Sequence, residues 1–201
     1  MQSDPYPDMY AHVSGEFEPE AENVVYYTFD DGPSKNTVEI LDILKEKNAK
    51  ATFFVTGQGG EEYEEVLRRM VAEGHGIGLH TYSHDYRKIY SSVENYLEDF
   101  NRIRMYVKEV TGVEPSIFRF PGGSAKSSYT SEETMREIRR EMKRRGYLYY
   151  DWNVVSGDDK AQVTPSQTLV ENILKGAEGK TRVMVLCHDD GMRTSAAETL
   201  S

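Results

Sequence analysis

A sheet of parallel strands alternating with helices, open or closed into a barrel, is the fold this sequence predicts, and three observations predict it. Short apolar runs rich in Val, Ile, Tyr and Phe alternate with longer stretches whose apolar residues recur every three or four positions; these are the periods of strand and helix. The order strand, helix, strand repeats along most of the chain, as in successive βα units. Polar clusters fall at the C-terminal ends of the strand-like runs, namely Asp30 with Asp31, His80, Arg119, Asp151 and His188. Parallel α/β folds gather their sites at those ends.

Residues 1–22 read as an N-terminal arm, acidic and turn-rich, with two prolines in Pro5-Tyr6-Pro7. Residues 23–201 read as one domain. Val24 to Phe29 is an apolar, β-branched and aromatic run, hence a strand. Thr37 to Lys47 carries Val38, Leu41 and Leu44 at helical spacing, and Ala51 to Val55 reads as the next strand. Glu62 to Glu73 is a helix stopped by Gly74. Gly76 to His80 is a short strand that delivers His80 to its end. Ser92 to Thr111 is a long amphipathic helix with Val93, Tyr96, Leu97, Phe100, Ile103 and Val107 on one side. Ile117 to Phe120 is a strand running into Pro121-Gly122-Gly123, and Ser131 to Arg145 is a highly charged helix. Tyr147 to Trp152, Pro165 to Lys175 and Arg182 to Cys187 read as strand, helix and strand. No internal repeat or low-complexity linker interrupts the pattern.

The 201 residues suffice for one domain with a substantial core. The net charge of -10 argues against nucleic acid or an anionic membrane as partner, since both recruit basic patches. No stretch reaches the roughly 20 apolar residues of a membrane span. Met1 to Glu22 does not read as a signal peptide, so a targeting segment, if the protein is exported, is expected outside this sequence. The single cysteine, Cys187, rules out an internal disulfide and reads as an inert core residue.

Two segments carry chemistry. Thr28-Phe29-Asp30-Asp31-Gly32-Pro33-Ser34 sets two carboxylates side by side where a strand meets a Gly-Pro turn. His80-Thr81-Tyr82-Ser83-His84 sets two imidazoles four residues apart. One Asp and two His form a ligand set for a divalent metal that leaves positions open for water and substrate. The other Asp is then available as a base, and the pair of segments points to metal-assisted hydrolysis. Alone, each has a plain structural reading: Asp, Gly and Pro are common turn residues, and histidines at this spacing arise by chance. In Arg119-Phe120-Pro121-Gly122-Gly123 the arginine can hold a carboxylate and the glycines allow close approach to a ligand. Asp151-Trp152-Asn153 through Asp158, and Val183 to Asp189 ending in His188, complete the polar set.

These segments, in this order from Thr28 to Asp189, resemble the ordered motifs of the polysaccharide deacetylases, carbohydrate esterase family four or the NodB-homology domain. The resemblance implies a distorted (β/α) barrel, with residues 23–201 as its catalytic domain. It implies a hydrolase that removes acetyl groups from N-acetylglucosamine residues of a cell-wall polysaccharide, first of all peptidoglycan. Chitooligosaccharides and acetylated xylan are the alternatives within that chemistry, and a catalytically weak glycan-binding module is the alternative outside it. Asp31, His80 and His84 resemble the metal triad, for zinc or for cobalt or another divalent ion. Asp30 resembles the general base and Arg119 the residue that orients it. His188 resembles the general acid, with Asp158 as its carboxylate partner. Gly122 offers an oxyanion N–H, Leu186 a wall for the acetyl methyl group, and Trp152 the corresponding aromatic position. The family also implies an extracellular or cell-wall location.

The sequence departs from the family pattern at three places. Gly122 stands where many members carry Tyr, so a side-chain wall of the groove is expected to be lost while the N–H survives. Asp159 stands where many carry Trp, which with Gly122 implies a more open or differently lined groove. Family members continue past the His-Asp motif with a helix and a strand, whereas here Thr194 to Ser201 only begins a helix. A missing C-terminal helix and strand is therefore expected, with exposed apolar surface and an unpaired strand edge, and with marginal stability or compensating self-association as the consequence.

Overall fold

The computed structural model of the protein describes residues 4–12, 23–57, 59–125, 128–159 and 163–190. In chain order the elements are β1 (Val24–Asp30), α1 (Lys35–Glu46), β2 (Thr52–Val55), α2 (Glu61–Ala72), β3 (Gly76–Leu79) and α3 (Tyr86–Ile89). There follow α4 (Val93–Thr111), β4 (Ile117–Phe118), α5 (Glu132–Arg144), β5 (Leu148–Tyr149), β6 (Val154–Val155), α6 (Ser166–Ala177) and β7 (Arg182–His188). Local chemistry starts and stops the helices. The Ser34 side chain caps α1 in a reciprocal pair with Thr37, Ser92 and Ser131 cap α4 and α5, and Gly112 ends α4 in a left-handed conformation. Among the described residues no helix is long and apolar enough to cross a membrane.

All seven strands lie in one sheet, ordered β5-β4-β3-β2-β1-β7-β6, and every pairing is parallel. The sheet curls strongly. Its two edge strands, β5 and β6, are joined by only the four residues Tyr150 to Asn153. That link spans at most roughly 18 Å, whereas the edges of a flat seven-stranded sheet would lie roughly 29 Å apart. The result is the distorted barrel that the sequence resemblance implies. It also explains two differences from the sequence reading. The expected strand over Tyr147 to Trp152 ends at Tyr149, because the chain there leaves one edge for the other and resumes as β6. The expected strand to Phe120 ends at Phe118, because Arg119 turns inward across the barrel. The short α3 carries no hydrophobic period that a sequence could display. The helix expected to begin at Thr194 lies outside the described residues.

The core lies between the outer face of the sheet and the helices. Phe29, Phe53, Val55, Leu79, Val185 and Cys187 meet Ile40, Leu41, Leu67, Met70, Phe100 and Ile103 there, all buried. Alternate residues point into the barrel, where space is tight: a side chain on Gly78 would lie 2.4 Å from the Phe54 ring. Arg145, 1% exposed, binds the arm residues 4–12 to the end of α5. It donates to the Tyr6 carbonyl at 2.9 Å, the Met9 carbonyl at 3.2 Å and the Asp4 carboxylate at 2.6 Å. Replacing it leaves the buried Met9 carbonyl and the half-buried Tyr6 carbonyl and Asp4 carboxylate without their cation. Arg145→Ala should therefore cost about 1–3 kcal/mol of stability, read by denaturant unfolding, and speed proteolysis near residues 4–12. An unchanged unfolding midpoint would show that the clasp contributes nothing.

Candidate active site

Asp30 and His188 end neighbouring strands and sit side by side in register on β1 and β7. Asp30 is 3% exposed and Arg119 is fully buried beside it. Arg119 Nη1 donates to Asp30 Oδ1 and to Thr28 Oγ1, both at 2.7 Å. Its Nε donates to the Tyr150 carbonyl at 2.8 Å, and its guanidinium carbon lies 4.1 Å from the centre of the Phe54 ring. Burial raises the Asp30 pKa above the ordinary carboxylate value, and the Arg119 charge opposes that rise without cancelling it. Asp30 is thus a carboxylate held in one orientation and tuned to accept a proton.

Asp31, His80 and His84 converge, with one ligand atom from each lying within 4.8 Å of the others. Asp31 Oδ1 is 3.4 Å from His80 Nε2 and 3.1 Å from His84 Nε2. That oxygen is buried and has no hydrogen-bond partner. His80 Nδ1 lies 2.9 Å from the Arg119 carbonyl, so it carries the proton and leaves the Nε2 lone pair facing Asp31. Burial pushes the His80 pKa down to about 3, which keeps the ring neutral, as a metal ligand must be. An orphaned carboxylate oxygen facing imidazole nitrogens is a donor set that could hold a divalent ion.

His188 is poised in the opposite sense. Its Nδ1 lies 2.8 Å from Asp158 Oδ1, and its backbone N–H donates to Asp158 Oδ2 at 2.7 Å. Burial lowers the His188 pKa, but the bond to Asp158 and the charges of Asp158, Asp31 and Asp30 outweigh it and raise the group to about 9. The ring is therefore a cation at neutral pH, with Nε2–H left over as a donor.

A cavity of about 290 Å³ is lined by Asp30, Asp31, His80, His84, Gly122, Trp152, Leu186 and His188. Arg119 and Asp158 do not line it; they stand behind Asp30 and His188. Two further residues do line it, Tyr86 and Asp159. The wall expected to be lost at Gly122 is filled instead, because a Cβ there would lie 3.0 Å from the Tyr86 ring. A larger cavity of about 570 Å³ lies inside the barrel, between Tyr26, Thr52, Ile117 and Met184. Asp151 lines it and Trp152 lines both cavities, but Asp30, Asp31, His80, His84 and His188 do not line it.

The backbone around the ligand set is strained. Asp31, Thr81 and His84 have φ of 79°, 69° and 51°, a region that side-chain-bearing residues avoid and a β-branched Thr most of all. Partners that sequence reasoning missed hold it there. Asp99 on α4, 2% exposed, accepts from the Tyr82 N–H at 2.6 Å and the Ser83 N–H at 3.1 Å. Thr56 donates from its hydroxyl to the Asp31 carbonyl at 2.9 Å and from its backbone to the Gly32 carbonyl at 2.8 Å. The Asp189 carboxylate accepts from Thr37 Oγ1 at 2.6 Å and fills the space where a Gly32 side chain would be. Asp99 left one trace in the sequence, being an acid three residues after Tyr96 and four before Ile103, on the buried stripe of its helix. Asp99→Ala should weaken divalent-ion affinity by about 10–100-fold, whereas Asp99→Asn, which keeps an acceptor oxygen, should lose much less. Equal affinities in titration calorimetry would refute that tether.

Comparison with known proteins accords with this geometry. The family model described as "Polysaccharide deacetylase" matches residues 18–147. A Bacillus subtilis relative, YheN, is 33% identical over 172 residues, which cover 84% of this chain and 58% of that protein. A peptidoglycan-N-acetylglucosamine deacetylase of Bacillus cereus is 30% identical over 197 residues, covering 96% of this chain and 69% of the relative. The chain thus spans only part of the length of the relatives it matches. Among solved structures, the catalytic domain of a peptidoglycan N-acetylglucosamine deacetylase from Eubacterium rectale superposes with a TM-score of 0.83 at 33% identity, covering 92% of this chain and 84% of that one. With its curled parallel sheet, its ordered motifs and these relatives, the chain belongs to the polysaccharide deacetylase family.

Proposed function

We propose that the protein is a metal-dependent deacetylase that hydrolyses the acetamide of N-acetylglucosamine residues in a cell-wall polysaccharide, peptidoglycan first, and so acts at the cell exterior. The observation that carries this reading is one cavity with three parts. Around it lie Asp31 with His80 and His84, the buried Asp30 carboxylate paired with Arg119, and the His188 ring paired with Asp158.

A divalent ion held by Asp31, His80 and His84, zinc or cobalt, would polarise the amide carbonyl and acidify the attacking water. Asp30 takes the proton of that water as its oxygen bonds to the carbonyl carbon. The Gly122 N–H is the protein's own donor to the oxyanion that develops. Leu186 and Trp152 bound the space beside the acetyl group. His188 Nε2–H then protonates the sugar nitrogen as the C–N bond breaks, since an amide anion is too basic to leave. Acetate and a free amine result. Thr28 keeps Arg119, and through it Asp30, in one position by accepting from Nη1 and donating to the Val185 carbonyl at 2.6 Å.

Acetate release from N-acetylglucosamine oligomers and from peptidoglycan, after chelation and resupply of zinc or cobalt, tests the reading. Metal-dependent release is expected, and no release from either glycan despite stoichiometric metal binding would refute it. Asp30→Asn should abolish turnover, a loss of 10³-fold or more, while zinc binding by calorimetry is largely kept; wild-type turnover in that variant would remove Asp30 as the base. The rate should also fall on the alkaline side as His188 loses its proton, at a pH above the ordinary imidazole range because Asp158 raises its pKa. Because Asp158 raises that pKa, Asp158→Asn should move the alkaline limb to lower pH. A limb that stays in place would remove His188 as the acid.

A further inference from the structure

We propose that Tyr86 is the sugar-contacting wall of the cavity, standing where Gly122 has no side chain, and that the two residues are a matched pair. The inference rests on the deacetylase reading and assigns a binding role to a residue outside the metal set and the acid-base pairs. Gly122 has φ of +77°, and a Cβ on it would lie 3.0 Å from Tyr86 Cε1 and 3.3 Å from Tyr86 Oη. Glycine allows that backbone without strain and that ring without displacement.

The ring is braced on three sides. His84 meets it edge-on at 5.2 Å, Tyr90 at 5.9 Å and Tyr129 at 5.2 Å between centroids. Tyr90, 1% exposed, also donates its hydroxyl to the Pro121 carbonyl at 2.7 Å, so one buried tyrosine fixes both the ring and the turn that carries Gly122. Tyr86 nonetheless stays half-buried and lines the cavity across from Trp152, Leu186 and His188. A pyranose has apolar C–H faces and a rim of hydroxyls, and a tyrosine offers an apolar ring with a polar edge. A ring already locked in place loses little conformational freedom when a sugar settles on it. The competing role is that Tyr86 merely props His84.

Steady-state deacetylation of chitopentaose by the zinc-loaded protein separates the two. Under the proposal, Tyr86→Ala raises KM at least tenfold with a smaller effect on kcat, Tyr86→Phe retains most of the affinity, and zinc affinity stays within threefold of the parent in both. An unchanged KM in Tyr86→Ala overturns the proposal. So does a loss of zinc affinity that accompanies the loss of rate, because the tyrosine is then a prop for His84. If the parent releases no acetate from chitopentaose, calorimetric binding of chitopentaose decides Tyr86, and the deacetylase reading itself fails only when peptidoglycan releases none either. Tenfold weaker binding by Tyr86→Ala then supports the contact, and equal or absent binding overturns it.

Discussion

The buried ion pair between Arg119 and Asp30 is the interaction on which the rest of the site depends. Arg119 leaves the end of β4 and crosses the barrel to β1, and it also reaches the Tyr150 carbonyl where the chain passes from one sheet edge to the other. The same guanidinium therefore joins three parts of the curl and orients the carboxylate at its mouth. A pair this deep is costly to desolvate. Thr28 and the Tyr150 carbonyl accept from Nη1 and Nε and the Phe54 ring packs against the cation, which offsets part of that cost, while Nη2 is buried without a protein partner. Loss of either partner would leave a bare charge in the barrel.

Around that pair, similar side chains are pushed in opposite directions. His80 is buried against a backbone carbonyl and is held neutral, whereas His188 faces Asp158 and is held as a cation. One residue type thereby supplies a neutral ring and a cationic one in the same cavity. Asp30 and Asp31, adjacent in sequence, are separated in the same way. The first meets a guanidinium, and the second turns a bare oxygen toward two imidazole nitrogens. The separation requires a backbone that turns sharply between them, and the positive φ of Asp31 is that turn.

Strain in the two ligand loops is the structural counterpart of this arrangement. Residues forced into sparsely populated backbone conformations cost of order 1–3 kcal/mol each. Asp99, Thr56 and Asp189 offset the strain with hydrogen bonds from neighbouring elements. The backbone that carries Asp31, His80 and His84 is thus held by α4, by the end of β2 and by the end of β7. Tyr86 and Gly122 show the same interdependence at the cavity wall, where one residue's missing side chain is the other's space.

The sequence by itself determined the alternation of elements, because amphipathic periods and capping residues act over a few positions. It also determined the groups at the strand ends, since a strand's last residue projects from its end whatever the neighbours are. Asp30 and His188 were legible for that reason, and Asp31, His80 and His84 from their spacing in the segments that directly follow β1 and β3. Only the tertiary structure decided that the sheet curls, that β5 and β6 lie at opposite edges, and that Arg119 points inward. Each of these depends on strand neighbours distant in the chain. Asp99, Thr56 and Tyr86 were illegible as site residues for the same cause. Asp99 and Thr56 bind loop residues 16 to 25 positions away, and the Gly122 that leaves room for Tyr86 lies 36 positions away, and no local pattern tells a tether or a wall from an ordinary helix or loop residue. Hydrophobic period and spacing thus specify what each segment is, and the packing of distant segments specifies what each side chain meets.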